Sequence, residues 1–492
     1  MKDFVQQIRE IISIDSSGHK GTGGIASYFA PYLEKAGFLV DYQKVLLDHV
    51  EQINLIAYRW PPSKENQGLI LHTHLDTVPP APANFWTETK GDPFRATLQG
   101  DKVFGLGSAD VKLDFLCKVL AASTHSHKEL KHPLTLVGSF GEESGLLGAK
   151  HLLQNEASAA RPLPGPYVLV GEPTNLALAV AHKGYMVVIL QIRLKEDLSN
   201  LSIRKAPIEE PLMEVEFEGR EAHSSTPNLG DNAIEKNLKF LSIYQSACGR
   251  LIEISGGRQH NIIPGKCKLV FSSKEADQLE GLMLREGLKY KFLKNMVKNR
   301  NKSANFPLSE NDNHLLKMTM LFFEHWQAFK EALSSEIDPK FDPPFATANL
   351  GKISASMGKI EIVLDLRTLP AQNPGTLAEN MGEFCQKIKQ NYPHYQADVV
   401  VSHENPPYQL QQNSRLLNES RKTLQNILGR VELIYKATST EAGIYAKAGF
   451  EPLIFGPGPS VGNVHAPNEH NLLSHLNVAM AFYEEIISRF CL

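Results

Sequence analysis

The chain has 492 residues, more than one compact core usually holds, so we expect two domains. Its formal net charge of -3 gives no basic excess to attract nucleic acid, and no apolar run approaches the ~20 residues of a membrane span. The N-terminal segment lacks the apolar stretch of a signal peptide, and the five cysteines are scattered without a CxxC pair. We therefore expect a cytoplasmic protein with reduced cysteines and no nucleic-acid or membrane partner.

Helical and strand-like patterns alternate in the first part of the chain and again after residue 405. Helices are predicted at the N-terminus and at 24–36, 113–122, 413–428 and 474–490, and strands at 51–59, 68–73, 133–140, 167–171 and 451–455. This alternation predicts an α/β fold, in which a mostly parallel sheet is covered by helices on both faces.

Between these two parts the pattern changes to that of a smaller α+β domain, expected at 183–404. Its predicted elements are strands at 184–194, 212–218, 358–366 and 396–402 and helices at 231–244 and 375–390. Residues 274–345 are rich in Lys and Leu and show helical patterns at 276–299 and 313–336, so we interpret them as a helical insertion. The prediction is a discontinuous first domain, 1–182 with 405–492, interrupted by this second one.

Four predicted strands of the first domain end in residues that can bind metal ions. They lead into His74 and Asp76, into Glu142–Glu143, into Glu172, and into a Gly/Pro loop followed by His465. Because ligands bind at the carboxyl ends of parallel strands, these side chains are expected to share one site. Histidine and carboxylate ligands without cysteine suit a catalytic Zn²⁺, with Mn²⁺ or Co²⁺ as substitutes.

The histidines near residue 74 have more than one interpretation. His74 and Asp76 are two apart in a strand and face the same side, so the carboxylate can accept the second ring N–H of a metal-bound histidine. His72 faces the same way and is a rival ligand. The alternative for either ring is a satisfied histidine in the core.

Three acidic residues between positions 110 and 143 carry further chemistry. Asp110 lies in a glycine-rich turn, and its two oxygens can bridge two cations; the alternative is a cap on the following helix. The adjacent side chains of Glu142 and Glu143 diverge, so one can bind metal while the other acts as general base on the attacking water. The alternative for this pair is a solvated acidic loop.

In this order, the motifs resemble the zinc hydrolases that include acetylornithine deacetylase, succinyl-diaminopimelate desuccinylase, aminoacylase and glutamate carboxypeptidase. The resemblance covers nearly the whole chain. The matching segments are HTHLDTVPP (72–80), GLGSADVK (105–112), GEES (141–144), GEPT (171–174), AHSSTP (222–227), NIIP (261–264), LDLRTLP (364–370), GPG (456–458) and NVHAPNE (463–469). One departure is Thr438-Ser-Thr-Glu441, where the family usually has Thr-Ser-Asp.

The resemblance implies two Zn²⁺ ions per subunit with a shared bridging carboxylate. One ion would be held by His74, Asp110 and Glu172, and the second by Asp110, Glu143 and His465. It also implies Glu142 as the general base and Asp76 as the partner of His74.

The resemblance further implies that the inserted domain is a lid and a dimerisation domain. Its histidine in the AHSS segment, here His223, would stabilise the oxyanion. The substrate would be bound by Asn261, Arg367, Gly456 and Gly458. For Arg367 the alternative is a salt bridge to Asp365. Relatives form homodimers through the lid or stay monomeric when an enlarged lid replaces the partner, and both remain open here.

These features predict an enzyme that cleaves the amide bond of an N-acyl amino acid or a small peptide. In relatives a Glu at this position goes with deacylases and carboxypeptidases, so Glu172 in GEPT favours hydrolysis of an N-acyl amino acid or removal of a C-terminal residue. The first hypothesis is a deacylase similar to acetylornithine deacetylase or succinyl-diaminopimelate desuccinylase. The enlarged lid supports a dipeptidase or carboxypeptidase as the alternative. A non-catalytic binding protein on the same fold is a remote third hypothesis, because every expected ligand and Glu142 are present.

Overall fold

The computed structural model describes residues 2–60, 67–126, 128–154, 163–195, 210–292, 313–356 and 358–492. The helices are α1 (Lys2–Ser13), α2 (Gly23–Lys35), α3 (Lys112–Ser123), α4 (Leu147–Gln154), α5 (Ala233–Tyr244), α6 (Ala276–Arg285), α7 (His314–Ser334), α8 (Pro374–Asn391), α9 (Arg415–Leu428), α10 (Ala442–Lys447) and α11 (Leu473–Cys491). No described helix is both long and apolar enough to cross a membrane.

The strands are β1 (Leu39–Leu47), β2 (Val50–Arg59), β3 (Gly68–His74), β4 (Thr97–Gln99), β5 (Lys102–Phe104), β6 (Leu134–Ser139), β7 (Pro166–Gly171), β8 (Leu178–His182), β9 (Tyr185–Leu194), β10 (Leu212–Glu218), β11 (Leu251–Gly256), β12 (Lys266–Ser272), β13 (Lys289–Phe292), β14 (Thr347–Ser356), β15 (Lys359–Arg367), β16 (Tyr395–Asn405), β17 (Tyr408–Gln409), β18 (Leu433–Lys436), β19 (Glu451–Phe455) and β20 (His470–Leu472). The chain divides into two compact units. Unit 1 is Met1–His182 with Asn405–Leu492, and unit 2 is Lys183–Glu404.

The core of unit 1 is a twisted α/β sheet with the strand order β1-β2-β6-β3-β7-β19-β8-β17, and β18 pairs with β8. The central strands β6, β3, β7 and β19 are parallel. The strands on either side of them pair mostly antiparallel, with β18 parallel to β8 as the exception. The predicted α/β class is confirmed, with the parallel pairing concentrated where the polar strand ends lie.

Helices cover both faces of this sheet, as the alternation of patterns predicted. Neighbouring residues of β3 point to opposite faces, and the strand is buried along its whole length. On one face, Thr73 Oγ1 donates to Asp114 Oδ2 and accepts from Lys118 Nζ, both on α3. On the other face, the His72 ring lies 5.1 Å from the ring of Tyr445 on α10.

A buried ion pair holds α3 against the centre of the sheet. Asp114 and Lys118 lie one turn apart, their side chains are fully buried, and Lys118 Nζ is 2.8 Å from Asp114 Oδ2. Lys118 Nζ also donates to the carbonyl oxygen of His72 at 2.6 Å, and Tyr483 on α11 donates to Asp114. Because buried charges are stable only when paired and hydrogen-bonded, this network fixes α3, and with it the loop before α3.

Unit 2 is an α+β body built on a sheet of order β13-β10-β12-β11-β14-β15-β9-β16, which is antiparallel from β13 to β9. Helix α7 buries an aromatic row, in which Trp326 stacks on Phe322 and Phe329. Helix α8 adds Phe384, whose ring meets Phe322 edge-on at 5.8 Å.

The helix predicted at 276–299 was wrong over residues 286–292. Helix α6 ends at Arg285, Gly287 adopts φ +63°, and Leu288 N donates to Met283 O. A glycine with positive φ after the last turn is a common helix stop, and the chain then enters strand β13. Residues 293–299 lie outside the described residues. The pattern at 313–336 does form a helix, α7, so the interpreted helical insertion contains a strand as well as helices.

Candidate metal centre

Strand register brings the polar strand ends of unit 1 to one edge of the sheet. In the parallel pairs, His74 lies opposite Ser139, and Thr73 lies opposite Gly171. Phe455 also lies opposite Gly171, so β19 ends at the same level. The residues that follow these strands therefore start from neighbouring positions, as expected for the ligand-binding edge of a parallel sheet.

Three of the predicted ligands meet at this edge. His465 Nε2 lies 2.9 Å from Glu143 Oε1 and 3.2 Å from Asp110 Oδ2. One ligand atom from each residue lies within 4.8 Å of the other two, and among the described residues no other group of three or more such side chains is found. One imidazole and two carboxylates are a donor set that fits Zn²⁺, Co²⁺ or Mn²⁺.

Two glycines shape the loops that present these ligands. Gly141 has φ +66° directly before the Glu142–Glu143 pair, and Gly107 has φ +78° three residues before Asp110. A Cβ on Gly107 would lie 2.2 Å from Lys112 Cε, so a side chain there would displace the buried lysine. Both turns therefore favour glycine, because other residues rarely adopt this backbone conformation.

The two oxygens of Asp110 face two different histidines. Oδ1 lies 3.1 Å from His74 Nε2, and Oδ2 lies 3.2 Å from His465 Nε2. Although burial alone would raise it, these histidines hold the pKa of Asp110 well below its ordinary value. Although burial alone would lower it, the pKa of His74 is in turn raised, since the ring faces the carboxylates of Asp110 and Asp76. This two-sided geometry is what a bridging carboxylate requires.

The pKa values of the remaining ligands depend on their burial and on one another. Hydrogen bonds to Asp110 and Glu143 raise the pKa of His465 to about 11. Burial, together with the negative charge of Asp110, raises the pKa of Glu143 to about 7. The pKa of Glu142 is raised well above its ordinary value, mainly by burial of its carboxyl group and then by the charges of neighbouring carboxylates.

The carboxylate of Asp76 does more than the sequence indicated. Oδ1 accepts the backbone N–H of Glu142 and Oδ2 accepts that of Glu143, both at 3.1 Å. His74 Nδ1 lies 3.1 Å from the backbone carbonyl oxygen of Asp76 and 3.6 Å from its carboxylate. The predicted contact with His74 therefore runs chiefly through the backbone carbonyl, because the carboxylate holds the turn that carries the two glutamates.

Glu172 is placed differently from the other predicted ligands. Its Oε2 forms an ion pair of 2.8 Å with Lys436 Nζ, and the two side chains are only 10% and 12% exposed. Glu172 is not part of the three-residue group at Asp110. The sequence contained no signal for this partner, since Lys436 lies 264 positions further along the chain.

His72, the rival ligand, is a core residue. Its Nε2 lies 3.0 Å from Glu441 Oε2 and 2.8 Å from Ser139 Oγ, and Ser139 Oγ donates to Glu441 Oε1 at 2.7 Å. Although burial alone would raise it, the His72 ring holds the pKa of Glu441 below its ordinary value. Sequence reasoning missed this role of Glu441; the available signal was the departure from Thr-Ser-Asp at this position.

Glu469 is a second residue that sequence reasoning missed. It is buried, and its Oε1 accepts the backbone N–H groups of Ala109 at 2.8 Å and Asp110 at 3.1 Å. Burial and the charge of Asp110 raise its pKa to about 7. Glu469 therefore holds the loop of Asp110 in the way that Asp76 holds the turn of the two glutamates; its signal was the last letter of NVHAPNE.

Gly456 and Gly458 lie at the end of β19, and their backbone groups already have partners in unit 1. Gly456 N donates to Thr174 Oγ1 at 3.0 Å, and Gly458 O accepts the N–H of Asn175 at 2.9 Å. These glycines fix the loop that leads to His465. Their predicted contact with substrate stays a prediction.

The other predicted site residues lie in unit 2, on one network. His223 Nδ1 lies 2.7 Å from Ser225 Oγ, Ser224 N donates to Asn261 O, and Ser224 Oγ donates to Asp365 Oδ2 at 2.8 Å. The Asp365 carboxylate also accepts hydrogen bonds from both Nε and Nη2 of Arg367, at 3.0 and 3.3 Å. The salt bridge considered as the alternative for Arg367 is therefore present. The guanidinium also stacks on the Tyr185 ring, 3.6 Å from its centre.

Comparisons with known proteins identify the family of the chain. Residues 70–489 match the model of Peptidase family M20/M25/M40. An acetylornithine deacetylase of Myxococcus xanthus is 24% identical over 502 residues, which cover 100% of this chain and 99% of that protein. One of Proteus mirabilis is 30% identical over 238 residues, 47% of this chain and 52% of that protein.

Two solved structures share the fold. An aminoacylhistidine dipeptidase from Vibrio alginolyticus aligns with a TM-score of 0.67 at 17% identity, covering 99% of this chain and 96% of its own. An M20 family metallo-carboxypeptidase from Sulfolobus solfataricus aligns with a TM-score of 0.60 at 17% identity, covering 100% and 99%. With the family match over most of the chain, we conclude that this protein is a hydrolase acting on amide bonds and belongs to Peptidase family M20/M25/M40.

Proposed function

We propose that this chain is a metal-dependent deacylase that hydrolyses N-acyl amino acids, in the manner of acetylornithine deacetylase or succinyl-diaminopimelate desuccinylase. The observation that carries the proposal is the meeting of Asp110, Glu143 and His465, with Glu142 next to them in the chain. The similarity to an acetylornithine deacetylase along the whole chain supports the deacylase class.

The proposed metal ligands form two sets that share Asp110. Asp110, Glu143 and His465 would hold one Zn²⁺, and His74, Asp110 and Glu172 a second, with Co²⁺ or Mn²⁺ as substitutes. Ions bound there would polarise the scissile carbonyl and lower the pKa of the attacking water. The two oxygens of Asp110, directed at His74 and His465, support its role as the bridge.

Glu142 is the proposed general base. Burial raises the pKa of Glu142, which makes its carboxylate a stronger proton acceptor than an ordinary glutamate. The water oxygen then bonds to the amide carbon, and the proton held by Glu142 passes to the leaving nitrogen as the C–N bond breaks. Asp76, which holds the backbone N–H of Glu142, would keep the carboxylate in position.

Unit 2 is proposed as a lid and dimerisation domain. In that role His223 would donate to the oxyanion, and Asn261 and Arg367 would bind the substrate's carbonyl and carboxylate. Because Nε and Nη2 of Arg367 donate to Asp365, Nη1 is the nitrogen proposed to bind the substrate's carboxylate. Gly456 and Gly458 are proposed to border the bound substrate. The protein would be a homodimer through this domain, or a monomer if residues 274–345 replace the partner; light scattering distinguishes the two.

A dipeptidase or carboxypeptidase is the second candidate, because solved proteins with these names share the fold. As compartment we propose the cytoplasm, which fits the five cysteines, all free and buried.

The deciding experiment is hydrolysis of a substrate panel by the Zn²⁺- or Co²⁺-loaded protein. The panel contains N-acetyl and N-succinyl amino acids, acyl-glutamates and dipeptides. Glu142→Ala is measured beside Glu51→Ala, an exposed glutamate that pairs only with Lys44 in the described contacts. Turnover of N-acyl substrates that Glu142→Ala abolishes and Glu51→Ala retains supports the deacylase. Turnover of dipeptides alone selects the second candidate, and equal activity of both variants would exclude Glu142 as the base.

A further inference from the structure

The two halves of the proposed metal centre are built unequally. Asp110, Glu143 and His465 have their ligand atoms gathered within 4.8 Å, ready for one ion. In the other half, His74 Nε2 faces Asp110 Oδ1 at 3.1 Å, but the carboxylate of Glu172 is bonded to Lys436. One ligand set is thus assembled, while the third ligand of the other already has a cation.

The cation bonded to Glu172 is the ammonium group of Lys436, and it is largely buried. Lys436 is the last residue of β18, which runs parallel to β8 in the same sheet, and Glu172 follows the end of β7. The side chains of Lys436 and Glu172 are only 12% and 10% exposed, so little water reaches the ion pair. A carboxylate at that depth needs a positive partner, and an ammonium group 2.8 Å away provides one.

A divalent ion that binds Glu172 therefore meets a charge already in place. It must either displace the Lys436 ammonium or share the carboxylate with it, and two cations this close repel each other. The lysine can withdraw, because its charge sits at the end of a flexible four-carbon chain while its backbone stays in the strand. Asp110 also meets the His74 imidazole, which is itself a proposed metal ligand, but no lysine or arginine pairs with Asp110, Glu143 or His465 in the described contacts.

We propose that Lys436 is an internal cation that occupies Glu172 until a second metal ion displaces it, so that the two metal ions bind with unequal affinity. The first ion goes to Asp110, Glu143 and His465. The second goes to His74, Asp110 and Glu172 and binds more weakly, because it competes with the ammonium. This inference rests on the proposed metal centre, and it assigns to Lys436 a control over metal loading.

The test is a calorimetric titration of the metal-free, full-length protein with Zn²⁺, together with bound-metal analysis after dialysis. Lys436→Met keeps an unbranched side chain that is one atom shorter, and it removes the charge. Lys422→Met is the matched control, since Lys422 is exposed and pairs with Glu419 on the surface of the same unit. Glu172→Gln identifies which binding event belongs to Glu172, and Lys436→Gln repeats the charge removal with a polar side chain if the methionine variant fails to fold.

In the wild type and in Lys422→Met, we expect one equivalent of Zn²⁺ to bind tightly and a second equivalent to bind more weakly. In Lys436→Met the weaker equivalent should tighten roughly tenfold, within the range by which groups beside metal ligands alter metal affinity, while the tight one stays unchanged. Glu172→Gln should abolish only the weaker equivalent.

Equal affinities in the wild type, or a second equivalent that does not tighten in either Lys436 variant, would overturn the proposal. Because no substrate is present, these results are separate from the proposed activity. If two ions bind with equal affinity and the protein hydrolyses N-acyl substrates, only the role of Lys436 is rejected. If the protein binds no metal, both the role of Lys436 and the proposed function are rejected.

Discussion

The turn that carries Glu142 and Glu143 depends on one buried carboxylate, and Asp76→Asn tests that dependence. In the wild type, the two Asp76 oxygens accept the backbone N–H groups of Glu142 and Glu143, each at 3.1 Å. Asp76 is only 1% exposed, so water cannot replace a lost acceptor. Asparagine keeps the shape but offers one oxygen, and its amide group turns a donor toward the other N–H.

The expected cost follows from these contacts. A hydrogen bond to a charged group contributes about 1.5–3 kcal/mol, and the variant loses one such bond and the charge on the other. Part of this loss appears as displacement of Glu143 and Glu142, so we expect kcat/KM and Zn²⁺ affinity to fall about 10–100-fold, or roughly 1.4–2.7 kcal/mol. The free energy of unfolding of the metal-free protein should fall by about 1–3 kcal/mol.

Three measurements check this prediction: kcat/KM on a substrate from the panel, Zn²⁺ affinity by competition with a chelator, and unfolding in urea. The control is Asp101→Asn, because Asp101 also accepts a backbone N–H, that of Ser474, but at an exposed position. The control should stay within about 0.5 kcal/mol of the wild type in all three. If Asp76→Asn matched the control in kcat/KM and in Zn²⁺ affinity, the carboxylate would not position the two glutamates and the reasoning would fail.

Three further predictions concern pH, the core and metal removal. With a pKa of about 11, His465 carries a proton in the metal-free protein at neutral pH, and Glu143, with a pKa of about 7, becomes protonated below neutrality. Metal binding must expel these protons, so Zn²⁺ affinity should rise with pH: about tenfold per pH unit above pH 7, and more steeply below pH 7. Competition titrations with a chelator measure this dependence, and an affinity that does not change with pH would contradict these pKa values. Leu71→Ala, at a fully buried position of β3, should lower the free energy of unfolding in urea by about 2–5 kcal/mol, whereas Leu46→Ala, 70% exposed, should change it by less than about 0.5 kcal/mol. Removing metal with a chelator should lower the melting temperature, since a ligand at 100 times its Kd stabilises by about 2.7 kcal/mol; equal melting temperatures with chelator and with Zn²⁺ would show that no site of this strength exists.

Part of the fold follows from local pattern. Alternating helical and strand periods predicted the α/β class, and fully buried strands such as β3 and β6 were recognisable as apolar runs. The same patterns did not predict the edge strand β1. Strand β1 lies at the edge of the sheet, contains no buried residue and exposes Leu39, Tyr42 and Leu46.

The metal-capable residues themselves were determined by the sequence. Parallel strands place their carboxyl ends at one edge, so polar residues in the loops after β3, β6 and β19 were expected to converge. Glu143, after β6, and His465, in the loop after β19, do meet, and they are joined by Asp110 from the loop before α3. This inference needs only the order of strands and the chemistry of the side chains, both of which can be read along the chain.

The partners of these residues were decided by the tertiary structure alone. Lys436 reaches Glu172 across 264 positions, Glu441 meets His72 in the core, and Glu469 holds the loop of Asp110. Such contacts depend on strand register and on the path of each loop. No local pattern encodes them, because the energy of a buried charge is set by whatever lies within a few ångströms of it in space, whatever its distance along the chain.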